Sequence, residues 1–261
     1  MELRSGPASA IVDLQGGRLA SLVVDNVELM VTEGERPTRW GSFPMVPWCG
    51  RLRDGLLSFD GSTYQFPLTS PPHANHGFGH TQEWAISGDG EIRTELGEPW
   101  PFGGWVVQRF ALGDDRLTVT IEVHADSVDM PAMAGWHPWF RRQLERGGDP
   151  VGTPAELTIA GGSVLEVGDD GIPTGELVPV PPGPWDNCFV GLDADPVIRW
   201  PGALELTLSS TFDHWVVFTE PVAALCVEPE SGAPNDINRV PTIVRPGQPL
   251  IGTMTLRWTT L

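Results

Sequence analysis

Apolar residues in this chain recur at every second position. The run from 117 to 123 alternates Leu, Val, Ile and Val with Thr, Thr and Glu, and the run from 204 to 209 alternates three Leu with Glu, Thr and Ser. Successive side chains of an extended strand point to opposite faces, so this period buries one face and leaves the other in contact with water. The pattern predicts β-strands and excludes amphipathic helices as the main building blocks.

Turn-forming residues divide the chain into short segments, since it contains 31 Gly and 26 Pro. Two hairpins are predicted, one pairing 56–59 with 63–66 around Asp60-Gly61, the other pairing 106–112 with 117–123. Further strands are expected at 9–14, 18–24, 155–160, 204–208, 215–219, 223–228 and 250–258. Helical turns are expected only near 38–42 and 234–238.

The length of 261 residues suits one large all-β domain or two ordinary domains. The Pro-rich stretch 179–184 lies between strand-like segments, and we interpret it as a loop within one domain. Many short strands separated by turns are typical of a sandwich. The sequence therefore predicts an all-β fold, a large antiparallel β-sandwich, in a single domain spanning residues 1–261.

Charge and composition exclude several functions. The net charge is −18, whereas a nucleic-acid-binding protein needs basic patches to neutralise phosphates. The same argument disfavours a heavily phosphorylated ligand, although one well-placed arginine could overcome it. All 16 basic residues are arginine, and the absence of lysine excludes Schiff-base, pyridoxal and P-loop chemistry.

Cysteines and apolar runs bear on the cellular compartment. Cys49, Cys188 and Cys226 are odd in number and far apart, which predicts reduced, buried thiols and neither a disulfide framework nor a CxxC metal site. The N-terminus lacks the apolar run of a signal peptide, and no stretch approaches the roughly 18 apolar residues that cross a bilayer. We expect a cytoplasmic protein with no membrane partner.

Five segments carry more polar and aromatic residues than a plain core needs: 47–55, 75–84, 135–140, 185–189 and 227–238. His137 lies between two tryptophans and is either a general acid or a buried structural histidine. Glu228 ends an apolar run, where burial would raise its pKa towards that of a general base. The alternative is a strand-end carboxylate facing solvent, and Glu230 competes for the catalytic role.

Other residues of these segments suggest binding. Arg51 and Arg53 follow a turn, and their guanidinium groups could hold sugar hydroxyls or lie free in solvent. One or two of the 11 tryptophans could stack on a sugar ring, although most must be structural. A metal site is the alternative for four closely spaced residues: His73, His76, His80 and Glu83.

Taken in order, these segments resemble the motifs of the aldose 1-epimerase family, also called galactose mutarotases. Pro-Trp-Cys-Gly-Arg-Leu-Arg-Asp-Gly at 47–55, followed by Phe59-Asp60-Gly61, is similar to the family's arginine motif. Asn75-His76-Gly77-Phe78 and Trp136-His137-Pro138-Trp139-Phe140 are similar to its two histidine motifs. Asp186-Asn187-Cys188-Phe189 and the segment from Glu228-Pro229 to Pro234-Asn235 resemble its aspartate and glutamate motifs. The resemblance covers about residues 9–258.

This resemblance implies a role for each matching residue. Glu228 would take the proton from the anomeric hydroxyl, and His137 would protonate the ring oxygen. His76, Arg51 and Asp186 would bind sugar hydroxyls. The family resemblance also implies a sandwich with the site in a cleft on one sheet, an aldose substrate, and neither cofactor nor metal. A monomer or homodimer is expected.

Three departures from the family pattern bear on sugar specificity. Gly50 stands where the family often has Asn, Trp139 stands where Tyr is common, and His80 has no equivalent. A related branch, the hexose-6-phosphate epimerases, is an alternative that the acidic composition disfavours. Two further alternatives are a non-catalytic carbohydrate-binding protein on the same fold and a glycosidase or lyase using Glu228 and Asp186.

Overall fold

The computed structural model describes residues 1–261. Strands hold 58% of the residues and helices 4%, which confirms the all-β prediction. The first strands are β1 (Glu2–Ser5), β2 (Ala8–Asp13), β3 (Arg18–Val24), β4 (Val27–Glu28), β5 (Ser42–Met45), β6 (Arg51–Leu52), β7 (Leu56–Phe59), β8 (Ser62–Gln65), β9 (Ala74–Asn75), β10 (Ala85–Gly88), β11 (Glu91–Glu95), β12 (Trp105–Leu112) and β13 (Arg116–His124).

The remaining strands are β14 (Met130–Ala132), β15 (Gly135–Arg141), β16 (Leu144–Arg146), β17 (Asp149–Val151), β18 (Glu156–Val167), β19 (Pro173–Val178), β20 (Asp186–Trp200), β21 (Leu204–Ser210), β22 (His214–Phe218), β23 (Ala224–Glu230), β24 (Thr242–Val244) and β25 (Leu250–Thr260). Helical structure is limited to two 3-10 turns, Arg53–Gly55 and Gly79–Thr81, and one α-helical turn, α1 (Asp236–Arg239). No helix is long and apolar enough to cross a membrane.

Antiparallel pairing joins most of the strands into two continuous layers. The first sheet runs β1–β2–β3–β5–β15–β23–β22 and ends on the first residues of β20. The second sheet starts on the last residues of β20 and runs β21–β25–β13–β12–β11–β10. Because β20 belongs to both sheets, the layers are linked through one long strand, and the predicted antiparallel architecture is confirmed.

The core lies between the two sheets. A single cluster of 56 buried apolar residues draws on both, including Phe140 and Val227 of the first sheet and Ile121 and Leu256 of the second. Trp136 of β15 crosses the interface, where its indole Nε1 donates a hydrogen bond to Gln108 Oε1 of β12 at 3.1 Å. Alternate residues of β15 and β23 therefore point inward, and the others are left for the outer face of the first sheet.

Regular alternation predicted strands well, and irregular strands were missed. The two hairpins form as β7–β8 and β12–β13, and residues 179–185 form a loop between β19 and β20. The helical turn predicted near 234–238 is α1, whereas the one predicted near 38–42 is wrong: these residues form a turn and bends that lead into β5.

The long strand β20 was the main omission, and the strand predicted at 155–160 covers only the first part of β18. β20 contains Gly, Asp and Pro, which are typical of turns, and β18 contains Gly161 and Gly162 with positive φ of 68° and 83°. Their pairing carries register shifts near these glycines. Such bulges bend a strand without ending it, which lets β20 pass from one sheet to the other.

Candidate active site

Two neighbouring strands bring together the histidine and the glutamate singled out by the sequence. β15 pairs with β23 in a register that sets Gly135 against Glu230 and Trp139 against Cys226. The same register places His137 opposite Glu228, and the His137 Nε2 lies 3.3 Å from Glu228 Oε1. Residues 91 positions apart in sequence thus meet as a cross-strand pair on the outer face of the first sheet.

The alternation of these strands builds the floor of a cavity. Since residues two apart share a face of a sheet, one row of outward side chains crosses the first sheet. The floor is formed by His137 and Trp139 of β15, Glu228 and Glu230 of β23, Val216 and Phe218 of β22, and Asp186 and Cys188 of β20. Loop segments 36–39, 50–51, 69–80 and 167–173 supply the walls.

The cavity has a volume of about 240 Å³, just below the range of ~300–1,000 Å³ found for pockets that hold drug-sized ligands. Its size therefore suits a small molecule. The lining is mostly polar, with a few aromatic and aliphatic side chains. A polyhydroxylated ligand with one apolar face fits this chemistry.

His137 is held between aromatic rings. Its imidazole stacks on Phe43 at a centroid distance of 4.8 Å and on Trp139 at 5.2 Å, the latter nearly parallel. Burial, together with the nearby charge of Arg39, lowers the pKa of His137 to about 3. The imidazole is consequently neutral near pH 7, with Nε2 directed at Glu228.

Two buried carboxyl groups lie side by side on β23. Glu228 is 1% exposed and Glu230 is fully buried, and both line the cavity. Burial raises the pKa of each well above its ordinary value, and the neighbouring Glu230 raises the pKa of Glu228 further. Neither carboxyl oxygen of Glu230 has a hydrogen-bond partner. Both carboxyl groups therefore bind a proton more readily than an exposed glutamate does.

His76 reaches the cavity through an unusual backbone conformation. Its φ is +60°, in the left-handed region that few residues other than glycine adopt. Its N–H donates to the Gly50 carbonyl at 2.9 Å, which fixes this conformation. The imidazole meets His137 edge-on with ring centroids 5.1 Å apart. Strain of this kind is found where a side chain must be aimed at a ligand.

Arg51 and Asp186 also line the cavity. Arg51 Nη1 donates to the Gly171 carbonyl at 3.1 Å, and Nη2 lies 3.6 Å from Asp186 Oδ2. Both side chains are partly exposed. The guanidinium thus keeps free N–H donors, and the carboxylate keeps free acceptor positions, for hydroxyl groups of a ligand.

The glutamate motif also holds the arginine motif in place. Asn235 accepts a hydrogen bond from the Arg53 backbone N–H at 3.1 Å, and Asn238 accepts one from the Ser58 N–H at 2.9 Å. Gly50, with φ +58°, packs so closely that an added Cβ would lie 2.5 Å from Pro234 Cγ. A side chain such as that of asparagine would have no room at this position.

The metal site that the sequence offered as an alternative, at His73, His76, His80 and Glu83, does not form. His73 receives the Asp54 N–H at Nδ1 (3.1 Å) and contacts the Asp170 carbonyl through Nε2 (2.9 Å), so both its nitrogens serve the loops. Arg53 likewise pairs with Asp170 outside the cavity wall. The group with metal-ligand geometry is a different one: His137, Cys226 and Glu228, whose ligand atoms lie within 4.8 Å of one another.

Some cavity residues were missed by sequence reasoning. Glu230 was named only as a competitor of Glu228, and Arg36 and Arg39 were not singled out, because they lie in a polar loop that matches no motif. His80, left without a role, forms part of the wall behind Phe43, with ring centroids 5.2 Å apart. The five residues assigned to the site do line the same cavity: Glu228, His137, His76, Arg51 and Asp186.

Sequence comparison identifies the family. The family model described as aldose 1-epimerase matches residues 1–256. The chain belongs to the aldose 1-epimerase family. The resemblance inferred from the five motifs is therefore confirmed for the chain as a whole. This family is one of isomerases that act on small sugars.

Solved structures share the fold of this aldose 1-epimerase family member. A galactose mutarotase-like protein from Clostridium acetobutylicum has a TM-score of 0.83 at 16% identity, covering 100% of this chain and 95% of that one. An aldose epimerase homologue from C. elegans has a TM-score of 0.82 at 15% identity, with coverage of 100% and 98%. A galactose 1-epimerase from Lactobacillus acidophilus has a TM-score of 0.79 at 14% identity, with coverage of 99% and 93%. No curated protein matches significantly in sequence.

Proposed function

We propose that this protein is a mutarotase that interconverts the α and β anomers of a hexose, with Glu228 and His137 as the acid–base pair. The observation that carries the proposal is the contact of 3.3 Å between His137 Nε2 and Glu228 Oε1 on the floor of a sugar-sized cavity. Proton transfer by positioned side chains accelerates reactions by about 10²–10⁴-fold, which suits a reaction that already proceeds slowly in water.

The two groups of the pair differ in their affinity for a proton. Burial lowers the pKa of His137 to about 3 and raises that of Glu228, so a proton favours Glu228 over His137 before a sugar binds. When a sugar enters, its hydroxyl groups and the Arg51 guanidinium favour the ionised carboxylate. The proton then moves from Glu228 to His137, which gives a base and an acid side by side.

Ring opening uses both groups at once. Glu228 accepts the proton of the C1 hydroxyl, the O1–H electron pair forms the C1=O1 bond, and the C1–O5 bond breaks as His137 protonates O5. Rotation about C1–C2 exposes the other face of the aldehyde. Closure reverses the transfers, with His137 taking the proton back from O5 and Glu228 returning one to O1, so the enzyme ends unchanged.

Other cavity residues hold the sugar in this mechanism. Arg51 and Asp186, which line the same cavity, would bind hydroxyls as donor and acceptor. The His76 ring lies next to the His137 imidazole, which acts at the ring oxygen of the sugar. His76 would therefore orient a hydroxyl group near that oxygen. Trp139 lines the cavity beside His137 and offers apolar ring atoms to the C–H groups of the sugar.

Polarimetry tests this proposal directly. Fresh α-D-glucose and α-D-galactose are followed to equilibrium near neutral pH, in the presence of a chelator. We expect wild type to accelerate the approach, and Glu228→Gln and His137→Asn to lose about 100-fold or more of that rate while remaining folded. Glu156→Gln and His124→Asn are matched controls, since both residues lie outside the cavity, and they should keep full activity.

Other outcomes would support the alternatives. Sugar binding without acceleration would favour a carbohydrate-binding protein. Release of new reducing ends from oligosaccharides would favour a glycosidase using Glu228 and Asp186. Loss of activity on adding the chelator would instead implicate the His137, Cys226 and Glu228 cluster as a metal site.

The proposed enzyme is a cytoplasmic single domain over residues 1–261, monomeric or homodimeric. The main core cluster, which draws on both sheets, supports one folding unit. One cooperative urea transition, reported equally by fluorescence and circular dichroism, is expected for a single domain. Sedimentation equilibrium distinguishes the monomer from the homodimer.

A further inference from the structure

Buried polar atoms that have no hydrogen-bond partner are concentrated at the cavity. Nine residues of the chain carry such side-chain atoms. Six of these residues line the cavity: Asn75, His76, His80, His137, Trp139 and Glu230. A buried polar group without a partner destabilises a fold, so native proteins contain few of them. Their concentration at one cavity indicates a ligand that supplies the missing hydrogen bonds.

Glu230 is the extreme member of this set. Its side chain is fully buried, and it is the one residue of the nine with two unpartnered atoms, the two carboxyl oxygens. Lys, Arg, Asp and Glu are almost never fully buried in proteins unless they are paired. The acid–base mechanism uses Glu228 and gives Glu230 no task. The unpaired carboxyl therefore requires a separate explanation.

The strands beside Glu230 do not supply a partner. Glu230 is the last residue of β23, and it lies opposite Gly135 of β15 and His214 of β22. Gly135 has no side chain, and the His214 imidazole is hydrogen-bonded to Asp213 at 2.7 Å. The carboxyl of Glu230 therefore lines the cavity with its full hydrogen-bonding capacity available.

The charges around Glu230 favour a neutral partner group. Burial raises the pKa of Glu230, and the carboxylates of Asp236 and Asp186 raise it further. Arg51 opposes the corresponding rise at Glu228, whereas no cation does so at Glu230. A protonated carboxyl has one O–H donor and a carbonyl acceptor, and a hydroxyl group likewise donates and accepts. A hydroxyl is therefore the group that satisfies both oxygens.

We propose that Glu230 binds a hydroxyl group of the sugar and thereby determines which aldoses are good substrates. The proposal rests on the proposed mutarotase function and adds a specificity-determining residue to it. Glu228 and Glu230 share one face of β23, with about 6.6 Å between positions two residues apart on a strand. A hydroxyl held at Glu230 while O1 lies at Glu228 fixes the orientation of the ring on the cavity floor.

The proposal has a consequence for substrates that lack the bound hydroxyl. A site built to pair with a substrate hydroxyl strongly rejects an analogue without it, because the buried group of the protein is then left unpaired. One monodeoxy sugar should therefore be a much poorer substrate than its parent. The loss should disappear when Glu230 can no longer form the hydrogen bond.

A panel of monodeoxy sugars tests this consequence. Saturation transfer between anomeric protons is measured by NMR for the better substrate of D-glucose and D-galactose, and for its 2-, 3-, 4- and 6-deoxy derivatives, after subtraction of the spontaneous rate. In wild type, kcat/KM should fall about tenfold or more for one deoxy sugar. In Glu230→Met, which keeps the side-chain length and removes both oxygens, the ratio of parent to that deoxy sugar should fall towards one. An effect on Glu228 alters all sugars alike, so the ratio isolates the contact.

Urea unfolding without added sugar is the second measurement. Because no protein group pairs with the carboxyl, the urea midpoint of Glu230→Met should equal or exceed that of wild type. Glu156→Met is the matched control, since Glu156 is exposed and lies outside the cavity. It should leave the sugar ratios unchanged.

The outcomes separate this proposal from the proposed function. A parent-to-deoxy ratio that collapses for one sugar supports the proposal and identifies the hydroxyl that Glu230 binds. Ratios that are the same in wild type and Glu230→Met, or a lower urea midpoint in the variant, overturn the role of Glu230 and leave the mutarotase function intact. Acceleration of none of the sugars by wild type contradicts both.

Discussion

Replacement of His80 by glutamine is expected to make the stability of the protein less sensitive to acid. His80 is 7% exposed, packs against Phe43 and has no hydrogen-bond partner at Nδ1. Burial, followed by the charge of Arg18, lowers the pKa of His80 from 6.5 to about 4. The folded protein therefore resists protonation of a ring that the unfolded chain protonates readily.

The sign and size of the effect follow from linkage. The contribution of His80 to stability is fully present above the unfolded pKa of 6.5 and is lost as the pH falls towards about 4. Near pH 5 the unfolded histidine is almost wholly protonated, whereas folded His80 is about nine-tenths neutral, a loss of about 2 kcal/mol relative to pH 8. Full protonation of both states brings the loss to about 3 kcal/mol.

Urea unfolding at about pH 8 and pH 5 measures this term for wild type and His80→Gln. The fall in unfolding free energy between the two conditions should be about 2 kcal/mol smaller in the variant. Phe43→Leu is the matched control, since it loosens the same contact but keeps the imidazole, and it should lower stability equally at both pH values. An acid-induced loss of equal size in wild type and His80→Gln would refute the reasoning.

Three other substitutions or treatments test separate parts of the structure. Gly50→Ala forces a side chain into the left-handed region against Pro234, and we expect a loss of about 2–4 kcal/mol in urea unfolding. Glu230→Gln removes a charge that raises the pKa of Glu228. The descending, alkaline limb of the kcat/KM–pH profile should therefore move to lower pH. A limb that does not move would exclude this coupling between the two carboxyl groups. Burial raises the pKa of the thiols of Cys49, Cys188 and Cys226. We therefore expect these thiols to resist alkylation near pH 7 until urea unfolds the chain.

Strands with regular alternation could be predicted from sequence because their periodicity reports burial directly. The strands β15 and β20 could not be predicted from sequence, for different reasons. Residues 135–140 are buried on both faces, so their pattern carries no period of two. β20 contains turn-forming residues at the bulge where it passes between sheets. In both strands the tertiary surroundings, and not the local sequence, decide the conformation.

The chemistry of the candidate site was accessible from sequence because its residue types are few and distinctive. Glu228 ends an apolar run, and His137 lies among tryptophans, so both could be named before any fold was known. The distance between the two side chains could not be predicted, because it depends on which strands pair and in what register. The position of Arg36 and Arg39 at the cavity was also hidden, since a polar loop is brought to a site only when distant segments pack together.

The sequence by itself determined an all-β chain, the aldose 1-epimerase family and the acid–base residue types, because alternation and motif composition are local properties. The tertiary structure alone decided the cross-strand contact of His137 with Glu228, the burial that displaces their pKa values in opposite directions, and the set of side chains that line the cavity. These properties arise between segments far apart in the chain, since register, desolvation and charge pairing exist only after the sheets have closed around a common core.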